Sequence, residues 1–317
     1  MEDIIRTVNL TKQYGNKVIV DRVSISVKKG EIYGFLGLNG AGKTTTIRAL
    51  LGMSKPSSGE VYLFGQQWTH GNSDLSRRVG YMVEVPYAYP HFTVKENLNL
   101  IARLRGLPVP RAVDDIMKQL KLAEYAESKA KDLSLGNAQK LGLAKALIHK
   151  PDVLILDEPT NALDPAGIVE IREMLKTLAS QHGVTVFISS HILEEMSKLA
   201  SRIGIIHKGV LLEELTTKDF ETIRRKQLMI GTKDARKAQA ILSDSGYAVH
   251  STSNNCFVLP DDHAVKHPED IARLLAHHEV PLTMLKVEEE NLERYFLKVI
   301  GVEEEKPNET IVDSLQR

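Results

Sequence analysis

Cysteine is nearly absent. The 317 residues contain one, Cys256, so no disulfide can form within the chain and its lone thiol reads as structural, as suits a reducing compartment. Net charge is absent too: 41 lysines and arginines cancel 41 aspartates and glutamates, leaving no overall pull towards nucleic acid or an anionic membrane surface. No apolar run approaches the roughly 18 to 20 residues that a membrane span needs. The opening Met1-Glu2-Asp3 lacks the basic and apolar character of a signal peptide, so a cytoplasmic setting is expected. Any service to a membrane must then pass through a partner. Internal repeats are missing as well.

Hydrophobic residues make up 42% of the chain, enough for a packed core, and the length suits one large domain with a smaller appendage. Val23 to Val27 alternates Val, Ser, Ile, Ser, Val, the period of a half-buried strand in an antiparallel sheet. Val153 to Leu156 and Val184 to Ile188 are short and branched-apolar, as in parallel strands covered on both faces. Helix-length segments separate them, so the core reads as α/β. From Thr93 to Lys150 the strand signal disappears. Thr93 and Glu96 form a capping box, and helices are expected past Leu104 and near Met117, with Gly106, Pro108 and Pro110 as turns.

Beyond Glu214 a second unit begins: a strand near Leu228 to Ile230, a helix from Ala235 to Leu242, a strand pair from Tyr247 to Leu259, a helix near Ile271 to Ala276, and a strand near Leu282 to Val287. That β-α-β-β-α-β order predicts a small α+β, ferredoxin-like domain. Leu292, Tyr295, Phe296 and Val299 make one packing stripe on a last helix. The expected divisions are 1–215 with a helical insert at about 88–150, an accessory domain at 216–301, and a charged, disordered tail at 302–317. His263 and His267 stand four apart, but Pro268 and the lack of a third ligand argue against a metal. The glutamate runs at 288–290 and 303–305 read as solvated surface.

Gly37-Leu-Asn-Gly-Ala-Gly-Lys43-Thr44 fits the phosphate-binding loop, following a plausible strand (Glu31 to Leu36) and opening a helix through Ile47 and Leu50. Its glycines let successive backbone N–H groups approach phosphate closely. Lys43 can reach the β and γ phosphates, and the Thr44 hydroxyl can take a magnesium position. Gly37, Asn39, Gly40, Ala41, Gly42, Lys43, Thr44 and Thr45 are therefore candidate nucleotide contacts. Val153 to Glu158 ends a buried strand with two carboxylates. Asp157 can hold magnesium and Glu158 can orient the attacking water, although such a pair by itself is more often a helix N-cap.

With these motifs in place, residues 1 to about 215 resemble the ATP-binding cassette family. Leu133-Ser134-Leu135-Gly136-Asn137 stands at that family's signature sequence, Asn161-Ala162-Leu163-Asp164 at its D-loop, and Ser190-His191 at its switch histidine. Tyr14 stands where the family stacks an aromatic ring on adenine, though simple packing also explains a tyrosine there. The resemblance implies an ATP hydrolase with a mixed-sheet core, an antiparallel β subdomain and a helical subdomain, using ATP and Mg2+. It implies a homodimer on ATP binding and a separately encoded integral-membrane permease, so that the protein sits peripherally at the cytoplasmic face of the membrane. Ser134 and Gly136 would meet the γ phosphate held by the other copy, and Asp164 would cross the interface. Glu158 would be the general base, and His191 would keep base and γ phosphate in register.

Two departures narrow the resemblance. Glu84 replaces the usual glutamine of the loop that links nucleotide to permease, and an anion there would bind magnesium more strongly and repel the γ phosphate. A solvated loop acid is the other reading of Glu84. Leu135 and Asn137 replace the usual glycine and glutamine of the signature. These features, Ile192, the 204–209 hairpin and Glu293-Arg-Tyr-Phe-Leu297 resemble the ATPase subunits of bacitracin-type and lantibiotic self-immunity exporters. A different cargo stays open, because cargo is chosen by a membrane subunit. Action on ribosomes or nucleic acid is disfavoured, since neither tandem cassettes nor a long coiled-coil interruption is present.

Overall fold

The computed structural model describes residues 2–68, 73–84, 87–161, 163–223, 226–251, 256–289 and 292–301. The chain divides into two compact units, Met1–Thr217 and Lys218–Arg317, where the sequence had suggested a break after 215. The expected tail at 302–317 lies outside the described residues.

The first unit holds two sheets. One is antiparallel, built from β1 (Asp3–Tyr14), β2 (Lys17–Val23), β3 (Ser26–Lys28), β5 (Ser58–Leu63) and β6 (Gln66–Gln67), in the order β2-β1-β5-β6 with β3 also on β1. The alternating segment Val23 to Val27 is not one strand but spans the break between β2 and β3. The Thr7 hydroxyl causes the break's geometry: it donates to Val23 O at 2.9 Å and accepts from Ile25 N at 3.0 Å, standing in for a ladder bond. Val23, Ile25 and Val27 are all buried, so the alternation survives the interruption.

The other sheet has the order β11-β10-β4-β9-β8-β7, from β4 (Ile32–Leu36), β7 (Val79–Met82), β8 (Val153–Asp157), β9 (Thr185–Ser190), β10 (Arg202–His207) and β11 (Val210–Thr216). Its pairings are parallel except for the β10–β11 hairpin. Every residue of β4, β8 and β9 is buried, which explains why those strands read as continuous apolar runs. One core cluster joins Ile5, Leu10 and Leu63 of the first sheet to Phe35, Ile155 and Phe187 of the second, with Ile47 and Leu50 of α1 (Lys43–Leu50).

The helices of this unit continue with α2 (Ser73–Arg77), α3 (Val94–Leu104), α4 (Val109–Gln119), α5 (Leu135–Leu147), α6 (Pro165–His182) and α7 (Leu193–Leu199). Thr93 and Glu96 complete the capping box that starts α3, at 3.1 and 2.8 Å. That helix stops at Leu104 rather than passing it, because Gly106 takes φ +67. From α3 to α5 the described residues contain only one isolated bridge, Thr93 to Lys129. α5 lies hard against β7: a methyl group added at Gly80 would stand 2.1 Å from the Ala146 carbonyl oxygen. Just past α5, His149 places Nε2 3.1 Å from Val79 O.

The second unit contains α8 (Thr217–Ile223), which begins at its boundary, then β12 (Lys226–Thr232), α9 (Ala235–Asp244), β13 (His250–Ser251), β14 (Cys256–Leu259), α10 (Asp262–Lys266), α11 (Pro268–His277), β15 (Leu282–Glu289) and α12 (Leu292–Val299). Its sheet is antiparallel throughout, in the order β13-β14-β12-β15. Leu228, Ile230, Leu242, Phe257, Leu259, Ile271 and Leu275 form its core. One element was not expected: α10 precedes α11, which covers the expected helix near Ile271 to Ala276, with His267 ending the one and Pro268 starting the other. Residues 252–255, between β13 and β14, lie outside the described ones. The His263 and His267 rings lie 5.0 Å apart, and no group of three potential metal ligands occurs among the described residues.

Burial, and secondly the Arg105 guanidinium, push the His149 imidazole down from 6.5 to about 4. Below pH 6.5 the unfolded chain therefore takes up a proton that the folded chain refuses until about pH 4, so stability falls as pH falls through that window. His149→Gln keeps a donor for Val79 O without titrating. Its urea midpoint should fall less steeply than that of the parent between pH 6.5 and 4.

Candidate functional site

Strand register assembles the site. Leu36 at the end of β4 pairs with Ser190, and Asp157 at the end of β8 pairs with Ser189, so three loops leave neighbouring strands at one level. The crevice beyond the carboxyl ends of parallel strands is where open α/β sheets bind ligands.

The loop after β4 turns into α1 through Gly42, whose φ of +106 and 2.9 Å approach of an added Cβ to Ile19 O both require glycine. Gly40, at φ +78, needs the same freedom at the loop tip, where Leu38 and Asn39 are also exposed. Ala41 is buried beneath this tip, while Thr44 and Thr45 are partly exposed in the first turn of α1. Gly37 N donates to Ser190 O at 3.2 Å, tying the loop to β9.

Lys43 is 6% exposed, and its ammonium donates to Gly37 O at 2.7 Å and Leu38 O at 3.2 Å. It also lies 3.1 Å from Glu158 Oε1. That contact is ionic rather than a directed hydrogen bond, so Oε1 remains a buried oxygen without a hydrogen-bond partner. The other carboxylate oxygen of Glu158 lies 2.9 Å from His191 Nδ1. Glu158 itself takes φ +49, a left-handed turn that aims its side chain back across the strand ends. Such a carboxylate, fixed on two sides, can accept a proton from water.

The Thr44 hydroxyl donates to Asp157 Oδ2 at 2.7 Å. Ser189 was missed: it donates to Asp157 Oδ1 at 2.6 Å and accepts from Glu158 N at 3.1 Å. Gln139 of α5 was also missed. Its amide donates to the carbonyls of Glu158 at 3.3 Å and Pro159 at 3.0 Å, fastening α5 to the turn that carries the acid pair. A serine next to Ser190-His191 at a strand end was the one visible hint of the first; nothing local marked the second.

The remaining candidates stand apart from this cluster. Ser134 caps α5, accepting from Asn137 N at 3.3 Å, with Gly136 in the first helical turn and Leu135 75% exposed. Beside it opens a cavity of about 550 Å3 lined by Tyr125, Lys129, Lys131, Ser134 and Asn137. Asp164 caps α6 by accepting from Gly167 N at 2.8 Å, and Ala162 of the same loop lies outside the described residues. Tyr14 ends β1, half exposed, with its hydroxyl 3.3 Å from Ser54 Oγ. Glu84 follows β7 and pairs with Arg48 of α1 at 2.6 Å rather than with Thr44 or Asp157.

A parallel sheet, a glycine loop opening a helix, a buried lysine and an acid pair on the next strand but one define a P-loop nucleoside triphosphatase. The family described as ABC transporter matches residues 20–161. The chain is 40% identical over 314 residues to the bacitracin transport ATP-binding protein BcrA of Bacillus licheniformis, covering 95% of this chain and 98% of that protein. It is 37% identical over 206 residues to the lantibiotic transport ATP-binding protein SrtF of Streptococcus pyogenes, covering 65% and 88%. A solved dimeric structure of a bacterial ABC transporter cassette superposes with a TM-score of 0.62 at 27% identity, covering 67% of this chain and 98% of that one. The chain belongs to the ABC transporter family, as an ATP-binding and ATP-hydrolysing subunit.

Ser189→Ala would leave Asp157 Oδ1 without its buried donor and the Glu158 N–H with only the Ser189 carbonyl oxygen, 3.3 Å away. The expected cost is about 1–3 kcal/mol of stability, together with a loss of ATPase activity. Urea unfolding and steady-state phosphate release measure the two effects.

Proposed function

We propose that two copies of this chain close head to tail on ATP and drive a separately encoded permease that exports a peptide antibiotic of the bacitracin or lantibiotic type. The observation that carries this reading is the division of the site. Lys43, Thr44, Asp157, Glu158 and His191 form one bonded cluster, whereas Ser134 heads α5 beside its own cavity and shares no hydrogen bond with them among the described residues. Each nucleotide is then held by the loop of one copy and capped by Ser134 and Gly136 of the other, with Asp164 at the shared boundary and Tyr14 against the adenine.

In this scheme the ammonium of Lys43 moves from loop carbonyls to phosphate oxygens, and Glu158 takes the proton of the attacking water. His191, on the second carboxylate oxygen, holds the base in place. Thr44 and Asp157 present hard oxygen donors, and Glu158 Oε1, which faces the Lys43 ammonium but accepts no hydrogen bond, adds an acceptor in the same cluster, so the residues fit Mg2+ held partly by phosphate. That ion, when bound, neutralises charge developing on the transferred phosphoryl group. Glu84, paired with Arg48, stands outside that donor set.

Docking to a permease at the cytoplasmic face of the membrane is supported by an exposed aromatic cluster after Glu84. Tyr87 is 71% exposed, with ring centroids 5.8 Å from Tyr89, which lies 5.3 Å from Phe92. Exposed, clustered aromatic rings are characteristic of partner surfaces. Among the described residues no helix is long and apolar enough to cross a membrane. The peptide-antibiotic cargo is supported by 40% identity to a bacitracin transport protein over 95% of this chain, a likeness that runs through the second unit as well as the cassette.

Glu158→Gln should still bind ATP, hydrolyse it about 10²–10⁴-fold more slowly, and accumulate as a dimer with Mg-ATP, read by phosphate release and light scattering. A variant that stays monomeric at saturating Mg-ATP, alone and with its permease, would overturn the pairing. A strain lacking this chain should become sensitive to bacitracin or a lantibiotic but not to unrelated drugs. Unchanged resistance to both peptides would point to another cargo.

A further inference from the structure

Glu84 sits at φ +58 in the loop after β7, a left-handed conformation unfavourable for a residue with a side chain. From there its Oε1 meets Arg48 Nη2 at 2.6 Å. Arg48 belongs to α1, the same helix whose first residue is Lys43. One short helix thus offers a cation to the phosphate loop at one end and a second cation to the loop carboxylate further along.

Both groups are well exposed, Arg48 at 42% and Glu84 at 54%. Water screens such a pair and two long side chains lose freedom in making it, so it does little for folding stability. Its effect on charge is larger. A free carboxylate on this loop would oppose an incoming triphosphate, while a paired one presents the guanidinium's neutralising charge. A glutamine at this position would need no such partner.

We propose that Arg48 is a positioning residue for nucleotide binding: it holds the Glu84 carboxylate on α1 and cancels its charge, so that the triphosphate meets a neutral loop. This inference rests on the reading that places Glu84 at the nucleotide site. The arrangement makes Arg48 necessary only while residue 84 is an acid.

The test is a double-mutant cycle on the full chain, with Mg-ATP hydrolysis measured for the parent, Arg48→Ala, Glu84→Gln and the double variant. Arg48→Ala should raise KM for Mg-ATP about fivefold in the parent background and less than about twofold in the Glu84→Gln background. Arg48→Lys should recover most of the loss, and raising ionic strength should shrink the effect in the parent background. An equal rise in both backgrounds, or none in either, would overturn the role of Arg48 while leaving the ATPase reading intact. If Glu84→Gln and Glu84→Ala both keep the parent's KM and kcat, the placement of Glu84 at the nucleotide fails first, and the inference with it.

Discussion

The in-register pairing of β4, β9 and β8, with Leu36 beside Ser190 and Asp157 beside Ser189, brings three separate loops within hydrogen-bond reach of one another. Strands buried on both faces carry no alternation to fix their register, because a slip by one residue would exchange one apolar face for another. Here polar groups at the strand ends add the missing specificity. The Ser189 hydroxyl bridges Asp157 Oδ1 and Glu158 N, and Gly37 N binds Ser190 O, contacts that a shifted ladder would lose. The register that packs the core is therefore also the one that assembles the phosphate site.

Charge in that site is held under tension rather than neutralised once and for all. Buried Lys43 and partly buried Glu158 stand 3.1 Å apart, yet the lysine's hydrogen bonds go to loop carbonyls and one oxygen of the glutamate has none. A pair of this kind contributes little to stability, since removing two charges from water offsets much of their attraction. Under the proposed mechanism the same two groups would meet a phosphate and a water molecule. The left-handed turn at Glu158 belongs to the same arrangement, spending conformational energy to aim one carboxylate between Lys43 and His191.

α5 connects this centre to the rest of the first unit. Its N-terminus is Ser134, its buried Gln139 grips the backbone after Asp157, and its far end lies against β7, the strand that leads to Glu84. Lys145 near the end of the same helix donates to the carbonyl of Tyr87 in the aromatic loop. A packed helix with contacts at both ends transmits displacement because close-packed interiors deform little. Ser134, the turn that carries the acid pair and the loop of the exposed aromatic rings are thus all in contact with one helix.

The sequence by itself marked the glycine loop, the acid pair at a strand end and the α/β character of the core, because each depends on backbone freedom or apolar pattern within a few consecutive residues. Gly42 at φ +106 and the wholly buried β8 are local features that local composition can encode. Only the tertiary structure decided the partners. Ser189 reaches Asp157 across 32 residues, Arg48 reaches Glu84 across 36, and Gln139 reaches Glu158 across 19. The Thr7 hydroxyl likewise meets the backbone at the break between β2 and β3 from 18 residues away. Which hydroxyl, amide or guanidinium meets a given carboxylate depends on register, rotamer and burial, and these are set by the packed chain rather than by any neighbouring residue.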